Sequence, residues 1–118
     1  MSSDWLKALF AYIDAKDVDG FLSYFAHDAT FRFGNADTHV GVSDIGGAVE
    51  GFLTSIAESA HDVRTVWEAP GSIACHGDVT YTRLDESSIT LPFANVLYLD
   101  DDGKISEYLI HIDITPLH

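Results

Sequence analysis

The sequence contains one cysteine and few basic residues, and both shortages exclude classes of protein. Cys75 alone cannot form an intrachain disulfide or a cluster of thiolate ligands, and we expect it to be a small buried side chain. Six Lys and Arg stand against 19 Asp and Glu, which gives a formal net charge of −13. A surface this acidic repels phosphate groups, so it disfavours binding to nucleic acids and to anionic membranes.

Long apolar runs and low-complexity segments are also missing. No stretch reaches the roughly 20 apolar residues that a membrane-spanning helix needs. The opening MSSDWLKALF has no basic region of the kind that begins a secretory signal, so we expect a cytoplasmic protein. The 118 residues contain no repeat or linker, and 47% are hydrophobic, which predicts a single domain spanning 1–118 with a substantial core.

The first half of the sequence has helical periodicity. Apolar residues recur at spacings of three and four in a predicted first helix: Leu6, Leu9, Phe10 and Ile13. Asp17 is placed to cap a second short helix that runs to Phe25, and a short strand follows at 30–33. Ser43 is placed to cap a third helix that ends near Ser59.

The second half has the composition of β-strands. Four segments rich in Val, Ile, Thr and Tyr lie at 61–69, 73–85, 88–99 and 104–114. Short turns separate them, so consecutive strands should pair antiparallel. Helices followed by such a meander predict an α+β fold in which the helices cover one face of the sheet.

The uncovered face of this sheet predicts self-association. Apolar residues occupy both faces of segment 88–99, with Leu97 on one face and Val96 and Tyr98 on the other. A helix layer can bury only one of these faces. The pattern therefore favours a homodimer formed through the open face of the sheet.

Five short motifs resemble the NTF2-like superfamily and occur in its order along nearly the whole chain. They are DAKDVDG at 14–20, FAHDATF at 25–31, Gly41 before Ser43-Asp44-Ile45, DGKI at 102–105, and Tyr108 with Asp113. The resemblance implies an NTF2-like cone, with three N-terminal helices packed on a strongly curved antiparallel β-sheet. Within the superfamily, the chain resembles the group of SnoaL-like polyketide cyclases and limonene-epoxide hydrolases.

A first candidate catalytic set combines residues of two predicted strands. Residues two apart on a strand face the same side, so Arg83 and Asp85 should share a face with Tyr81. One face of the last strand would carry Leu109, His111 and Asp113. In a closed cone, two carboxylates beside a guanidinium can do acid–base work. The alternative to a catalytic role is that Arg83 and Asp85 form an exposed ion pair beside the turn at 85–87.

This set resembles the Asp-Arg-Asp arrangement of limonene-epoxide hydrolase. The resemblance implies that Asp113 activates a water molecule and that Asp85 protonates the epoxide oxygen, with Arg83 bridging the two carboxylates. The same Asp113 resembles the acid–base aspartate of SnoaL-like cyclases, which removes a carbon-bound proton and drives an aldol closure. His111, two residues earlier, would assist it or be a histidine of the core or rim.

The first strand lacks polar groups that two relatives use. Limonene-epoxide hydrolase carries a Tyr and an Asn there, where this sequence has Phe31 and Phe33, and Asn35 is the nearest polar substitute. Ketosteroid-isomerase chemistry is disfavoured, because its base and its oxyanion-hole acid would fall on Phe33 and Ala94.

A histidine opens the segment at 61–69. SnoaL-like relatives often carry a pocket histidine at the position of His61, although a structural role is the alternative. Trp67 has the same strand parity and would form a wall of the cavity or a part of the core.

The leading prediction is a cofactor-free acid–base enzyme, of cyclase, isomerase or epoxide hydrolase-like type, with an apolar pocket for a small hydrophobic molecule. Its catalytic residues would be Asp113, Arg83, Asp85, His61 and His111. Its ligand-binding residues would be Phe31, Phe33, Asn35, Trp67, Tyr81, Phe93 and Leu109. No metal is expected, because the six histidines lack ligand spacing. The alternatives are a non-catalytic ligand-binding module and a dimerisation domain with a filled pocket.

Overall fold

Three α-helices and a six-stranded sheet make up the structure, a computed structural model that describes residues 2–118 and, of Ser2, the backbone alone. The helices are α1 (Ser2–Asp14), α2 (Val18–Leu22) and α3 (Val42–Thr54), and a 3-10 turn, η1, covers Thr115–Leu117. The strands are β1 (Phe25–Phe33), β2 (His39–Val40), β3 (Glu58–Ala69), β4 (Ser72–Thr82), β5 (Ser88–Leu99) and β6 (Ile105–His111). None of the described helices is long and apolar enough to cross a membrane.

The strands form one open sheet in the order β2-β1-β6-β5-β4-β3. The four long strands of the second half pair antiparallel with their neighbours in sequence, as the short turns predict. β1 lies beside β6 and runs parallel to it, which makes the sheet mixed. No hairpin joins these two strands, so their relative direction is free of the constraint that a short turn imposes.

The core lies between the helices and one face of the sheet, here called the inner face; the opposite one is the outer face. Burial alternates strictly along β4, where odd-numbered residues such as Cys75 and Tyr81 are buried and even-numbered ones are half-buried. The helical periodicity supplies the other side of the core, with Leu9 of α1 and Ile45 of α3 fully buried. Cys75 is therefore a small core side chain, as predicted.

Several element boundaries differ from those predicted. Asp17 does cap α2, its Oδ1 accepting a hydrogen bond from the Gly20 amide at 2.9 Å. However, Phe25 begins β1 and does not end a helix, because its buried ring packs as part of the sheet. Ser43 does not cap α3: the helix follows Gly41, whose positive φ of 89° makes the entry turn, and it ends at Thr54.

A β-bulge in β3 reverses which residues face the helices. The pairing of β3 with β4 shifts register between Val63 and Thr65, so one extra residue is inserted there. His61 precedes the bulge and is half-buried, whereas Trp67 follows it and is 56% exposed. Trp67 therefore lies on the outer face, and its predicted place in the cavity wall is wrong. The extra residue in the bulge makes His61 and Trp67 face opposite sides of the sheet, although both are odd-numbered.

Candidate functional site

A cavity of about 240 Å³ lies between α1, α3 and the inner face of the sheet. Six phenylalanines line it, together with aliphatic side chains: Phe10, Phe21, Phe31, Phe33, Phe52 and Phe93. The polar lining residues are His39, Ser59, His61, Tyr81, Asn95 and Tyr108. Among the described residues that line the cavity there is no Asp, Glu, Lys or Arg.

The mouth of the cavity lies at the loop between β1 and β2. Ala36 and His39 line the cavity and are also accessible at the molecular surface. His39 Nδ1 lies 3.1 Å from Asp44 Oδ2, and the same oxygen accepts a hydrogen bond from the Val40 amide at 3.2 Å. The start of α3 thus holds this side of the mouth in place.

The principal polar group of the cavity is a histidine–aspartate pair formed by α1 and β3. Asp14 ends α1, and its Oδ1 lies 2.7 Å from His61 Nδ1. Two further hydrogen bonds reach the carboxylate, from the His61 amide at 2.9 Å and from Ser59 Oγ at 2.7 Å. Asp14 does not line the cavity, and it contacts two residues that do, His61 and Ser59.

The charge of Asp14 fixes the protonation of the facing histidine nitrogen. Burial raises the pKa of Asp14, but hydrogen bonds from His61 and Ser59 and the charge on His61 outweigh it, and the pKa falls below its ordinary value. An ionised carboxylate can only accept hydrogen bonds. Nδ1 of His61 therefore carries a proton, and in the neutral form of the ring Nε2 is the proton acceptor.

Two aromatic side chains hold the ring of His61. Phe10 stacks on it with centroids 4.6 Å apart and planes inclined by 8°. Phe93 meets it edge-on, at 5.4 Å and 83°. Only 11% of the His61 side chain is exposed. The imidazole is thus fixed in orientation by one hydrogen bond and two ring contacts.

A second polar group lies on β5 and β6. Asn95 is 1% exposed, and its Nδ2 donates a hydrogen bond to Tyr108 Oη at 3.2 Å. Asn95 Oδ1 is buried and has no hydrogen-bond partner among residues 2–118. Burial, and then the proximity of Cys75, raise the pKa of Tyr108 far above its usual range, so its hydroxyl remains protonated.

Tyr81 and Cys75 complete the titratable groups near the cavity. Burial raises the pKa of Tyr81 well above its usual range, and the negative charge of Asp14 adds to this effect. Burial likewise raises the pKa of the Cys75 thiol to about 11. Both groups are therefore neutral near pH 7, and the thiol is a poor nucleophile.

The structure does not bring Arg83 and Asp85 to the cavity. β4 ends at Thr82, so both residues belong to the following turn and not to the predicted strand. Arg83 donates hydrogen bonds from Nε to the Leu117 carbonyl and from Nη2 to the Pro116 carbonyl, each at 3.0 Å. Asp85 is exposed and accepts hydrogen bonds from Ser87 within the turn.

Asp113, His111 and Leu109 also lie outside the cavity, because the last strand presents its other set of residues inward. Ile110 and Ile112 line the cavity, whereas the odd-numbered residues that alternate with them do not. Asp113 is exposed, follows the end of β6, and accepts a hydrogen bond from the Thr115 amide at 3.0 Å. The predicted Asp-Arg-Asp constellation is therefore not assembled.

Most of the remaining predicted site residues line the cavity, and one does not. Five of them line the cavity: Phe31, Phe33, Tyr81, Phe93 and His61. Asn35 is exposed in the turn after β1 and does not line it.

Sequence reasoning missed Asp14 and Asn95. In the sequence, Asp14 is only the first residue of the DAKDVDG motif, and the tertiary contact of α1 with β3 is what reveals its partner. The signal for Asn95 was its position between the inward-facing apolar residues Phe93 and Leu97, which makes a polar side chain conspicuous. Among residues 2–118, no three His, Cys, Asp or Glu side chains cluster as metal ligands.

Comparison with known sequences identifies one family. The sequence profile of the SnoaL-like domain matches residues 6–108. No curated protein sequence matches the chain significantly.

Solved structures share the fold at low sequence identity. An NTF2-like protein of unknown function from Burkholderia pseudomallei is 19% identical, with a TM-score of 0.85 over 95% of this chain and 90% of that one. TerC, co-crystallised with polyporic acid, is 21% identical, with a TM-score of 0.82 over 96% and 92%. A protein with a ketosteroid isomerase-like fold from Catenulispora acidiphila, in complex with trimethylamine, is 15% identical, with a TM-score of 0.81 over 90% and 82%.

Proposed function

The chain belongs to the SnoaL-like domain family, and we propose that it is a cofactor-free acid–base enzyme whose cavity binds a small, largely apolar molecule. The observation that carries the proposal is the His61–Asp14 pair. It presents one unprotonated imidazole nitrogen in a cavity whose remaining surface is mostly aromatic and aliphatic. Fold alone does not define a reaction in this superfamily, so the proposal rests on this pair.

The size of the cavity limits the ligand. A cavity of about 150 Å³ holds benzene, so one of about 240 Å³ has room for about ten non-hydrogen atoms. The apolar lining favours a ring or branched hydrocarbon skeleton with one or two polar groups. Small cyclic carbonyl compounds and their hydroxylated forms meet both conditions.

The proposed chemistry is proton transfer at carbon or oxygen. Nε2 of His61 removes a proton next to a carbonyl group, the bonding electrons move to the carbonyl oxygen, and His61 later returns the proton to a different atom. Asp14 stabilises the imidazolium that forms in between and keeps the ring oriented, so it is a positioning residue. A general base of this kind contributes roughly 10²- to 10⁴-fold to a rate.

The ligands of two structural neighbours support a small-molecule role for the cavity. TerC was crystallised with polyporic acid and the Catenulispora acidiphila protein with trimethylamine. Neither identity is high enough to transfer a ligand to this chain. They support only the expectation that a fold of this shape accommodates an organic molecule.

Proton transfer can be tested without knowledge of the natural substrate. The ketone 2-indanone has about ten non-hydrogen atoms and acidic C–H bonds beside its carbonyl, so it fits the size limit. In deuterium oxide, NMR follows the replacement of these protons. We expect the protein to accelerate the exchange and His61→Gln to lower that acceleration by roughly 100-fold or more. Asp14→Asn should lower the limiting rate with little effect on half-saturation.

His111→Gln is the matched control, because it makes the same change outside the cavity. It should leave the exchange rate as in the unaltered protein. Equal rates for His61→Gln and the unaltered protein, or a loss of rate in His111→Gln alone, would show that His61 is not the base.

A non-catalytic binding module of the same fold is the second candidate. The absence of Asp, Glu, Lys and Arg among the described lining residues favours it, since many acid–base sites place a carboxylate against the substrate. In that case 2-indanone binds and is not exchanged faster than in buffer. The same exchange experiment therefore distinguishes the two candidates.

The outer face of the sheet supports the proposal of a homodimer. An apolar row crosses four adjacent strands of this face: Trp67, Ala74, Val96 and Leu109. Trp67 is 56% exposed and Tyr98, beside the row, is 44% exposed. A second copy packed on this row would remove both aromatic side chains from water.

A further inference from the structure

Asn95 and Tyr108 form a buried polar pair that the proton-transfer chemistry of His61 does not use. Both side chains lie on the inner face of the sheet, line the cavity and are 1% exposed. They are joined by one hydrogen bond, from Asn95 Nδ2 to Tyr108 Oη at 3.2 Å. Polar groups this deeply buried are normally satisfied by protein, water or ligand.

The hydrogen-bonding capacity of the pair is only partly used. Asn95 Oδ1 is an acceptor with no donor among residues 2–118. Tyr108 Oη accepts from Asn95, and its own hydrogen has no acceptor within the described part of the chain. The pair therefore offers one free acceptor and one free donor at neighbouring positions of the cavity wall.

We propose that Asn95 and Tyr108 bind a hydroxyl group of the ligand, so that the ligand is a small alcohol, phenol or enol. A hydroxyl group donates one hydrogen bond and accepts others, which matches the free acceptor on Asn95 and the free donor on Tyr108. This inference rests on the proposed function, because it names the class of molecule that the same cavity takes.

Other polar groups fit the pair less well. A ketone or ether oxygen accepts from Tyr108 but leaves Asn95 Oδ1 unsatisfied. A carboxylate places negative charge against that oxygen and within the field of Asp14, whose charge already raises the pKa of Tyr108. A water molecule has the required donor and acceptor, and a ligand hydroxyl would displace it while reproducing its hydrogen bonds.

The position of the pair relative to His61 links it to the proposed reaction. Phe93 contacts the His61 ring, and Asn95 follows Phe93 by two residues on the same face of β5, a spacing of about 7 Å. A ring compound bound beside Phe93 can place its oxygen on the pair and a nearby C–H bond towards His61. Removal of the C–H proton by His61 gives an enolate, and return of that proton to the oxygen gives the enol, whose hydroxyl group the subsite favours over the ketone oxygen.

The test uses three probes with the same ethylbenzene skeleton. In para-ethylphenol the ring carries a hydroxyl, in para-ethylanisole this oxygen is methylated and can only accept, and ethylbenzene has no oxygen. Calorimetric titration of the whole protein gives a dissociation constant for each. We expect para-ethylphenol to bind roughly tenfold or more tightly than either of the other two probes.

Two variants remove the two halves of the pair. Asn95→Leu and Tyr108→Phe should each bring the affinity for para-ethylphenol to within about threefold of that for ethylbenzene. Thr80→Val, which removes one side-chain hydrogen bond on the outer face of β4, should leave the preference for the phenol unchanged. Asn95→Leu removes an unsatisfied buried acceptor but also takes the hydrogen bond from Tyr108 Oη, so its melting temperature without ligand should stay close to that of the unaltered protein.

Each outcome decides a different claim. Equal binding of all three probes would overturn the hydroxyl subsite and leave the apolar cavity intact. Binding of none of them would overturn the proposed function together with the subsite. A retained phenol preference in Asn95→Leu, or a large loss of stability in that variant, would show that Asn95 has a structural role only.

Discussion

At the scale of single residues, Asp14 stands in a place that does not favour its charge. It is the last residue of α1, and the C-terminal end of a helix carries partial negative charge, so a carboxylate there is disfavoured. Three hydrogen bonds from Ser59 and His61 offset this cost. The arrangement joins α1 to β3 and, at the same time, sets the tautomer of the histidine that faces the cavity.

The lowered pKa of Asp14 predicts a pH-dependent contribution to stability. Below its ordinary value of 3.8, the unfolded state takes up the proton before the folded state does, so the contribution is complete above that pH and is lost as the pH falls through the folded-state pKa. We expect Asp14→Asn to lower the free energy of unfolding by about 1–3 kcal/mol at pH 7. Urea unfolding between pH 7 and pH 3 should show this deficit shrinking on acidification.

Asp28→Asn is the control for this series, because Asp28 is an exposed carboxylate on β1. It should change the stability little at any pH. A deficit of Asp14→Asn that did not shrink as the pH fell below 3.8 would contradict the assignment of an ionised, hydrogen-bonded carboxylate.

The predictability of the site also differs from residue to residue. His61 was recognisable because a resemblance pointed to its position and no strand irregularity precedes it. The prediction put Asp113 and His111 on the inner face of the last strand, whereas the alternate residues Ile110 and Ile112 line the cavity. The apolar character of Ile110 and Ile112 is the sequence signal for this orientation. Asp14 was not predictable, because its role depends on a contact between segments 47 residues apart.

At the scale of secondary-structure elements, the bulge in β3 decides what the cavity contains. Before it, His61 faces the helices, and after it, Trp67 faces outward. Gly77 on β4 pairs with Val63 beside the bulge, and a Cβ atom there would overlap the backbone carbonyl of Asp62. The bulge and the glycine therefore depend on each other.

This dependence predicts the effect of adding a single methyl group. Gly77→Ala should lower the free energy of unfolding by about 3 kcal/mol or more, because the clash is with backbone atoms that cannot rotate away. Gly47→Ala is the matched control: it lies within α3, and a Cβ there meets no other atom within 4 Å. That variant should gain about 0.5–1 kcal/mol from helix propensity, as measured by urea unfolding. Equal stability of the two variants would mean that the bulge is not tied to Gly77.

Element boundaries were the least predictable feature of the fold. The strand composition of 73–85 continues past the point where pairing ends, so β4 was predicted to include Arg83 and Asp85. In the structure, Arg83 leaves the sheet to bind the carbonyl groups of Pro116 and Leu117 in η1. Its role is to hold the last turn against the sheet, which composition alone does not reveal.

At the scale of the whole molecule, order along the chain was enough to predict the α+β architecture. Because the helices come first and the meander follows, the helices can cover only one face of the sheet. The short turns explain why each of the strands β3, β4, β5 and β6 pairs antiparallel with the next one. The parallel pairing of β1 with β6 required knowledge of which distant strands meet. Local sequence patterns do not carry that information.

The apolar row on the outer face predicts association in solution. We expect the protein to have the mass of a dimer by light scattering at micromolar concentration. Val96→Arg should give a monomer, because it places a charge in the centre of the row. Thr54→Arg, an exposed change of the same charge on α3, should remain dimeric. A monomeric unaltered protein would exclude this interface.

We expect the small molecule to enter the cavity and contact His61. The most direct test is the long-range proton–nitrogen NMR spectrum of the histidine rings, recorded without ligand and with saturating para-ethylphenol. The neutral ring of His61 should carry its proton on Nδ1, and its signals should shift when the ligand binds, while those of His111 stay in place. Shifts confined to His111, or unchanged His61 signals in a saturated protein, would contradict the account.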